Sequence, residues 1–126
     1  MRRMKERSFL SCPCGAVSLL CRPASVDEAV ALARTALDAG ADGVAVELNR
    51  FPVAARTLAG FRAIVASVPL PFMFTDYRED EFLGADDEAR MASLLTAAEA
   101  GAEFVDVMAD LYSPSPLQIA TDEEAV

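Results

Sequence analysis

Short apolar runs alternate along the chain with longer stretches whose apolar positions recur at helical spacing. Residues 16–21 form the first run and predict a strand. Ser25-Val26-Asp27-Glu28 then reads as a capping box, in which the Ser25 hydroxyl accepts the Glu28 amide and the Glu28 carboxylate reaches back to the Ser25 amide. The helix it opens runs to about Ala39, with Ala29, Val30, Ala33 and Leu37 on one face. Residues 43–48 predict a second strand. Pro52 suits a first helical position, and Leu58, Phe61 and Val65 mark the buried stripe of a second helix that tolerates Gly60. Pro69 and Pro71 bracket the entry to a third strand at 70–75, since proline is tolerated at a strand's start but not in its middle. A polar loop at 76–85 leads to a third helix, capped by Asp86 or Asp87, with Met91, Leu94, Leu95 and Ala98 as its core face. Residues 104–108 predict a fourth strand.

One passage occurs twice at an offset of 61 residues. Thr35-Ala36-Leu37-Asp38-Ala39-Gly40-Ala41-Asp42 is echoed by Thr96-Ala97-Ala98-Glu99-Ala100-Gly101-Ala102-Glu103, and each copy runs on into a valine-rich segment. Each reads as a helix ending at a left-handed glycine and then a strand. Four strand–helix units of this kind predict an α/β chain amounting to half of a (β/α)8 barrel, which needs about 250 residues when whole. Four strands do not close a barrel. The outer two would expose unpaired backbone groups, so an isolated half is expected to pair with a second copy, to pair with the missing half, or to behave poorly in solution. The rival is an open doubly wound sheet, but Cys21-Arg22-Pro23-Ala24-Ser25 after the first strand holds no glycine for a phosphate loop. Residues 1–14 read as a loose N-terminal extension and residues 15–126 as the partial barrel domain. Thr121-Asp122-Glu123-Glu124 is a second capping box, which predicts that the domain continues past Val126.

Composition narrows the chemistry. A net charge of −9 argues against a nucleic-acid partner, and no apolar run is long enough to span a bilayer. Cys12-Pro13-Cys14 lacks zinc-ligand spacing and no second ligand pair follows, so neither a metal nor another cofactor is expected. Reduced thiols at Cys12, Cys14 and Cys21 point to the cytoplasm. The basic start at residues 1–7 is not followed by an unbroken apolar segment, because Pro13 and Cys14 interrupt it. Ten of the 11 basic residues are Arg, Lys5 is the single lysine, and there is no histidine. A mechanism that needs an imidazole base or a Schiff-base lysine in the core therefore cannot run on this chain alone.

In a barrel, chemistry sits on the loops after the strands. Strand alternation puts Ala45, Glu47 and Asn49 on one face, and Asp106, Met108 and Asp110 on one face. Glu47 or Asp106 could hold a substrate hydroxyl or serve as a solvated acid. Arg78, among Glu79, Asp80 and Glu81, could clamp a substrate carboxylate or pair locally.

With these residues in place, the chain resembles the type I 3-dehydroquinate dehydratase family over residues 15–126. The likeness rests on Val17-Ser18-Leu19-Leu20, on Gly40-Ala41-Asp42, and on Pro69-Leu70-Pro71-Phe72-Met73-Phe74-Thr75. It also rests on Asp86-Asp87-Glu88-Ala89-Arg90 and on Gly101-Ala102-Glu103-Phe104-Val105-Asp106-Val107. The resemblance implies a (β/α)8 barrel, commonly dimeric, in the shikimate route to aromatic amino acids. It also implies dehydration of 3-dehydroquinate through a lysine imine, with a histidine as proton shuttle. The imine is an electron sink that lets the adjacent carbon lose a proton. Carried over by position, substrate contacts fall on Ser18, Glu47 and Arg78. The family's Glu-x-Arg pair is broken in either register, falling on Ala45 and Glu47 or on Glu47 and Asn49. Its glutamate after Arg78 becomes Phe82. No catalytic residue is expected in this chain, because the family's lysine and histidine have no counterpart here. The alternative is a non-catalytic half-barrel that binds a small hydroxy-acid or a partner subunit.

Overall fold

The computed structural model describes residues 7–77 and 85–107. Four strands, β1 (Ser18–Cys21), β2 (Gly43–Glu47), β3 (Phe72–Thr75) and β4 (Phe104–Asp106), pair in parallel in the order β1-β2-β3-β4. Helices α1 (Val26–Asp38), α2 (Leu58–Ala66) and α3 (Asp87–Glu99) connect them. Strands in sequential order with a helix between each pair form successive βαβ units. The shuffled order of a doubly wound sheet is absent from the described residues.

The repeated passage makes the same helix-end hydrogen bonds in both places. Ala39, Gly40 and Ala41 donate backbone N–H groups to Thr35, Leu37 and Ala36, and Ala100, Gly101 and Ala102 donate to Thr96, Ala98 and Ala97. Both ends are Schellman turns whose glycines adopt φ of +83° and +111°. The next residue, Asp42 or Glu103, leads into a strand. At the start of α1, Ser25 Oγ accepts the Glu28 amide at 3.1 Å as expected, but Glu28 Oε1 reaches the Ala24 amide at 2.7 Å instead of Ser25's.

The core lies between the helices and one face of the sheet. Val44, Val46, Phe72 and Phe74 point toward the helices and pack with Ala33, Ala36, Phe61 and Ile64. Phe61 sits 5.0 Å from Phe74 and 5.9 Å from Phe51, ring centre to ring centre, the second pair edge-on. Each of these buried rings removes on the order of 2–3 kcal/mol of apolar surface from water.

Two helices differ from expectation. Pro52 opens no long helix: it precedes a single turn at Val53–Ala55. The chain then breaks at Arg56, whose side chain turns inward, and α2 restarts with the Thr57 hydroxyl accepting the Gly60 amide. In α3 the buried residues are Arg90, Ser93, Leu94 and Ala97. Of the expected face only Leu94 is buried: Met91 is half-buried, and Leu95 and Ala98 are exposed. The helix is turned so that Arg90 and Ser93 reach polar partners beneath it.

Residues 8–11, read as part of a loose extension, make a turn that packs under the sheet. The Ser8 hydroxyl and the Phe9 amide both donate to the Glu103 carboxylate. The Phe9 ring lies 5.8 Å from Phe104 and fills the space that a side chain at Gly43 would occupy. Gly43 and Phe104 are equivalent positions of the repeat, so one ring exploits an absent side chain and a large one together. The expected helix at residues 121–126 and the Ser113-Pro114-Ser115-Pro116 loop lie outside the described residues.

Candidate functional site at the carboxyl ends of the strands

Residues paired across a parallel ladder point to the same side of the sheet. Opposite the helices, Leu20, Ala45, Met73 and Phe104 therefore form one row, and Glu47, Thr75 and Asp106 the next. Arg22, one residue past β1, continues that second row, with its Nε 3.8 Å from Glu47 Oε1. The face is thus apolar at mid-strand and polar at the carboxyl ends, where parallel barrels carry their chemistry. The sequence flagged Glu47 and Asp106. Thr75 and Arg22 join them only through the strand register.

Glu47 is fully buried and Thr75 is 2% exposed. Glu47 Oε2 accepts the backbone N–H of Asn49 at 3.1 Å and of Tyr77 at 2.8 Å. Neither Glu47 Oε1 nor Thr75 Oγ1 has a hydrogen-bond partner among the described residues. A buried oxygen left in that state costs about 1–3 kcal/mol, and Asp76 Oδ1, next to Thr75, is in the same state among the described residues. Burial pushes the Glu47 carboxyl above its ordinary value. The two backbone donors and Arg22 pull the other way, and Asp76 adds to the rise. Raised carboxyl groups in such a position are a signature of functional sites.

Behind the row lies a buried polar network. Arg56 donates through Nη1 to Asp76 Oδ2 at 2.5 Å, through Nη2 to the Leu48 carbonyl at 2.7 Å and through Nε to the Phe51 carbonyl at 3.0 Å. Ser93 of α3 joins it at 3.3 Å. Burial lifts the Asp76 carboxyl as well, opposed by Arg56 and Arg90. The network binds the segment after β2, the end of β3 and the start of α3 into one support under Glu47. Nothing in the sequence pattern announced it, because a buried guanidinium has no periodicity of its own.

Of the three expected substrate contacts, Ser18 and Glu47 are not brought together. Ser18 is the first residue of β1, level with Gly43, while Glu47 is the last residue of β2. That separation is about 13 Å along the strand. Arg78 lies outside the described residues. Three clefts sit at the amino ends of the strands, one of about 320 Å³ bordered by Ser8, Cys12 and Asp42. No group of three His, Cys, Asp or Glu side chains among the described residues is arranged to hold a metal ion. Among the same residues, no helix is long and apolar enough to cross a membrane. Cys12, Cys14 and Cys21 are free thiols, and burial raises that of Cys21 to about 11.

No protein-family model matches the chain, and no curated protein does. Solved structures do. The carboxyl transferase domain of Rhizobium etli pyruvate carboxylase, in a structure with pyruvate, superposes with a TM-score of 0.59 at 21% identity, over 74% of this chain and 17% of that one. A structure of the same domain gives 0.55 at 23% identity, over 75% and 16%. Rhizobium etli pyruvate carboxylase crystallized without acetyl coenzyme A gives 0.60 at 21%, over 76% and 10%. The fold is part of a (β/α)8 barrel. The chain spans about a sixth of the carboxyl transferase domain it matches, and identity this low speaks for architecture and not for chemistry.

Proposed function

We propose that this chain is a half-barrel that binds a small hydroxy-acid at the carboxyl ends of its strands, and that it is related to the type I 3-dehydroquinate dehydratases. The observation that carries the reading is the pair of buried oxygens, Glu47 Oε1 and Thr75 Oγ1, that lack hydrogen-bond partners among the described residues on neighbouring strand ends. A ligand hydroxyl donates to the carboxylate and accepts from the threonine. Arg22 beside Glu47 supplies the positive charge that a carboxylate-bearing ligand needs. Arg78 is the second cation of this reading; Ser18, about 13 Å from Glu47 along the strand direction, is not part of it. The sequence likeness to the dehydratases supplies the specific ligand, 3-dehydroquinate.

Dehydration through an imine needs a lysine amine, and the proton shuttle needs an imidazole. The chain has no histidine, and its one lysine is Lys5. The chain alone is therefore a binding unit without a metal or cofactor. Catalysis as a carbon–oxygen lyase belongs to an assembly in which a second half supplies both groups. Among the described residues no further strand pairs with β1 or β4 at the ends of the sheet, and Leu20 and Val107 there are exposed; these edges fit that second half or another copy of this chain. A cytoplasmic setting goes with the three free thiols.

Calorimetric titration with 3-dehydroquinate and with shikimate tests the reading. Saturable heat that Thr75→Val and Glu47→Gln each weaken about tenfold, with no dehydrated enone product formed by the chain alone, is the expected result. No heat with either ligand would reject it.

A further inference from the structure

Glu47 is held by a peptide group that is itself held. The Asp76 carbonyl accepts from Arg90 Nε at 2.9 Å and from Arg90 Nη2 at 2.8 Å. The N–H at the other end of that same peptide, belonging to Tyr77, donates to Glu47 Oε2 at 2.8 Å. A guanidinium on the carbonyl oxygen draws electron density toward it and makes the N–H a stronger donor, as hydrogen bonds in series polarise one another. Arg90 is fully buried and its Nη1 meets Asp87 Oδ1 at 3.0 Å. Burying a guanidinium costs several kcal/mol unless its donors are taken up. Here two of them are spent on a carbonyl, while the adjacent Asp76 carboxylate goes to Arg56.

We propose that Arg90 is a positioning residue for Glu47, acting through the Asp76–Tyr77 peptide to fix Oε2 on backbone and leave Oε1 for the ligand. The proposal rests on the reading of Glu47 as a ligand contact. Among the described residues, the other charges facing Glu47 are Arg22 after β1, Asp76 at the end of β3, and Asp106 on β4 in the same row. They set a baseline that the tests below hold constant.

Carboxyl-labelled chain without ligand is titrated by NMR, following Glu47 Cδ and the Tyr77 amide. The two are expected to move with one midpoint, and the Tyr77 proton to lie far downfield. A Tyr77 amide indifferent to Glu47 overturns the proposal in the unmodified protein. Arg90→Lys, which keeps the charge but loses the fork, is expected to raise the Glu47 midpoint by about 0.3 unit or more. Arg90→Met should raise it further. Folded variants with an unchanged midpoint and Tyr77 shift mean that Arg90 only fills space. Should those variants fail to fold, Asp87→Asn changes Arg90's partner at the half-exposed surface and leaves the cap at Asp86 intact. It is expected to lower the Glu47 midpoint more than Glu88→Gln, which removes the same charge from a neighbouring exposed site. Equal effects of the two would contradict the proposal. Absence of ligand binding would reject the functional reading and leave this hydrogen-bond chain standing.

Discussion

Arg56 and Asp76 form a buried ion pair that fastens the segment after β2 to the end of β3. Every donor nitrogen of Arg56 has a named acceptor, at Phe51, Leu48 and Asp76. Removing one partner of such a pair leaves a charge stranded in the interior. Arg56→Ala and Asp76→Ala are each expected to destabilise the chain by about 3–5 kcal/mol. The double variant should cost less than the sum of the two, by 1 kcal/mol or more. Urea unfolding of the four proteins of that cycle measures it.

The Glu47 carboxyl has a second consequence, for stability against pH. Its value in the folded chain lies above the unfolded one, near 4.3. Between those two values the folded state holds more protons, so stability falls as pH rises through that window and levels off above it. The raised Asp76 carboxyl contributes in the same direction. Glu47→Gln keeps an acceptor for Asn49 and Tyr77 but carries no charge. It is expected to raise the melting temperature at pH 7 and to flatten the slope between pH 4 and the folded value. Thermal melts across that range check both.

The underside of the sheet predicts a compensating pair. Gly43→Ala places a methyl group where the Phe9 ring now sits, which is expected to cost about 1–3 kcal/mol. Phe9→Ala, at a half-buried position, should cost about 2 kcal/mol. With Phe9 already truncated, Gly43→Ala should be nearly neutral. Unfolding measurements that show plain additivity would mean that residues 8–11 do not pack there.

The two repeated helix ends predict a ranking. Gly40→Ala is expected to cost about 1 kcal/mol for its left-handed backbone. Gly101→Ala should cost more. Its φ of +111° lies farther from what alanine adopts, while the added Cβ would make only ordinary contact with Val65 at 3.4 Å. Paired denaturation curves rank them.

The features legible in the sequence share one property: they are local. Gly40 and Gly101 stop a helix by backbone conformation, and Ser25 caps one by a single hydroxyl, so a few residues suffice to read them. The strand order followed from the regular spacing of those units. What stayed hidden depends on residues far apart in the chain. The inward face of α3 was misread by one position because Arg90 and Ser93 occupy buried places, and their partners, Asp76 and Arg56, lie 14 and 37 residues away. Thr75 stood at the expected end of the third strand, but an isolated strand does not reveal which of its residues sits beside Glu47. Phe9 looked like part of a tail because its pocket is the missing side chain of Gly43.

The claim on which the account turns is that the ligand sits on the face opposite the helices, at the carboxyl ends of the strands. Chemical-shift mapping with shikimate tests it directly. The account predicts dose-dependent shifts at Arg22, Glu47, Thr75, Tyr77 and Asp106, moved to about tenfold higher ligand concentration by Thr75→Val. Shifts confined to the cleft at Ser8, Cys12 and Asp42, with the Glu47 row unmoved, would contradict it.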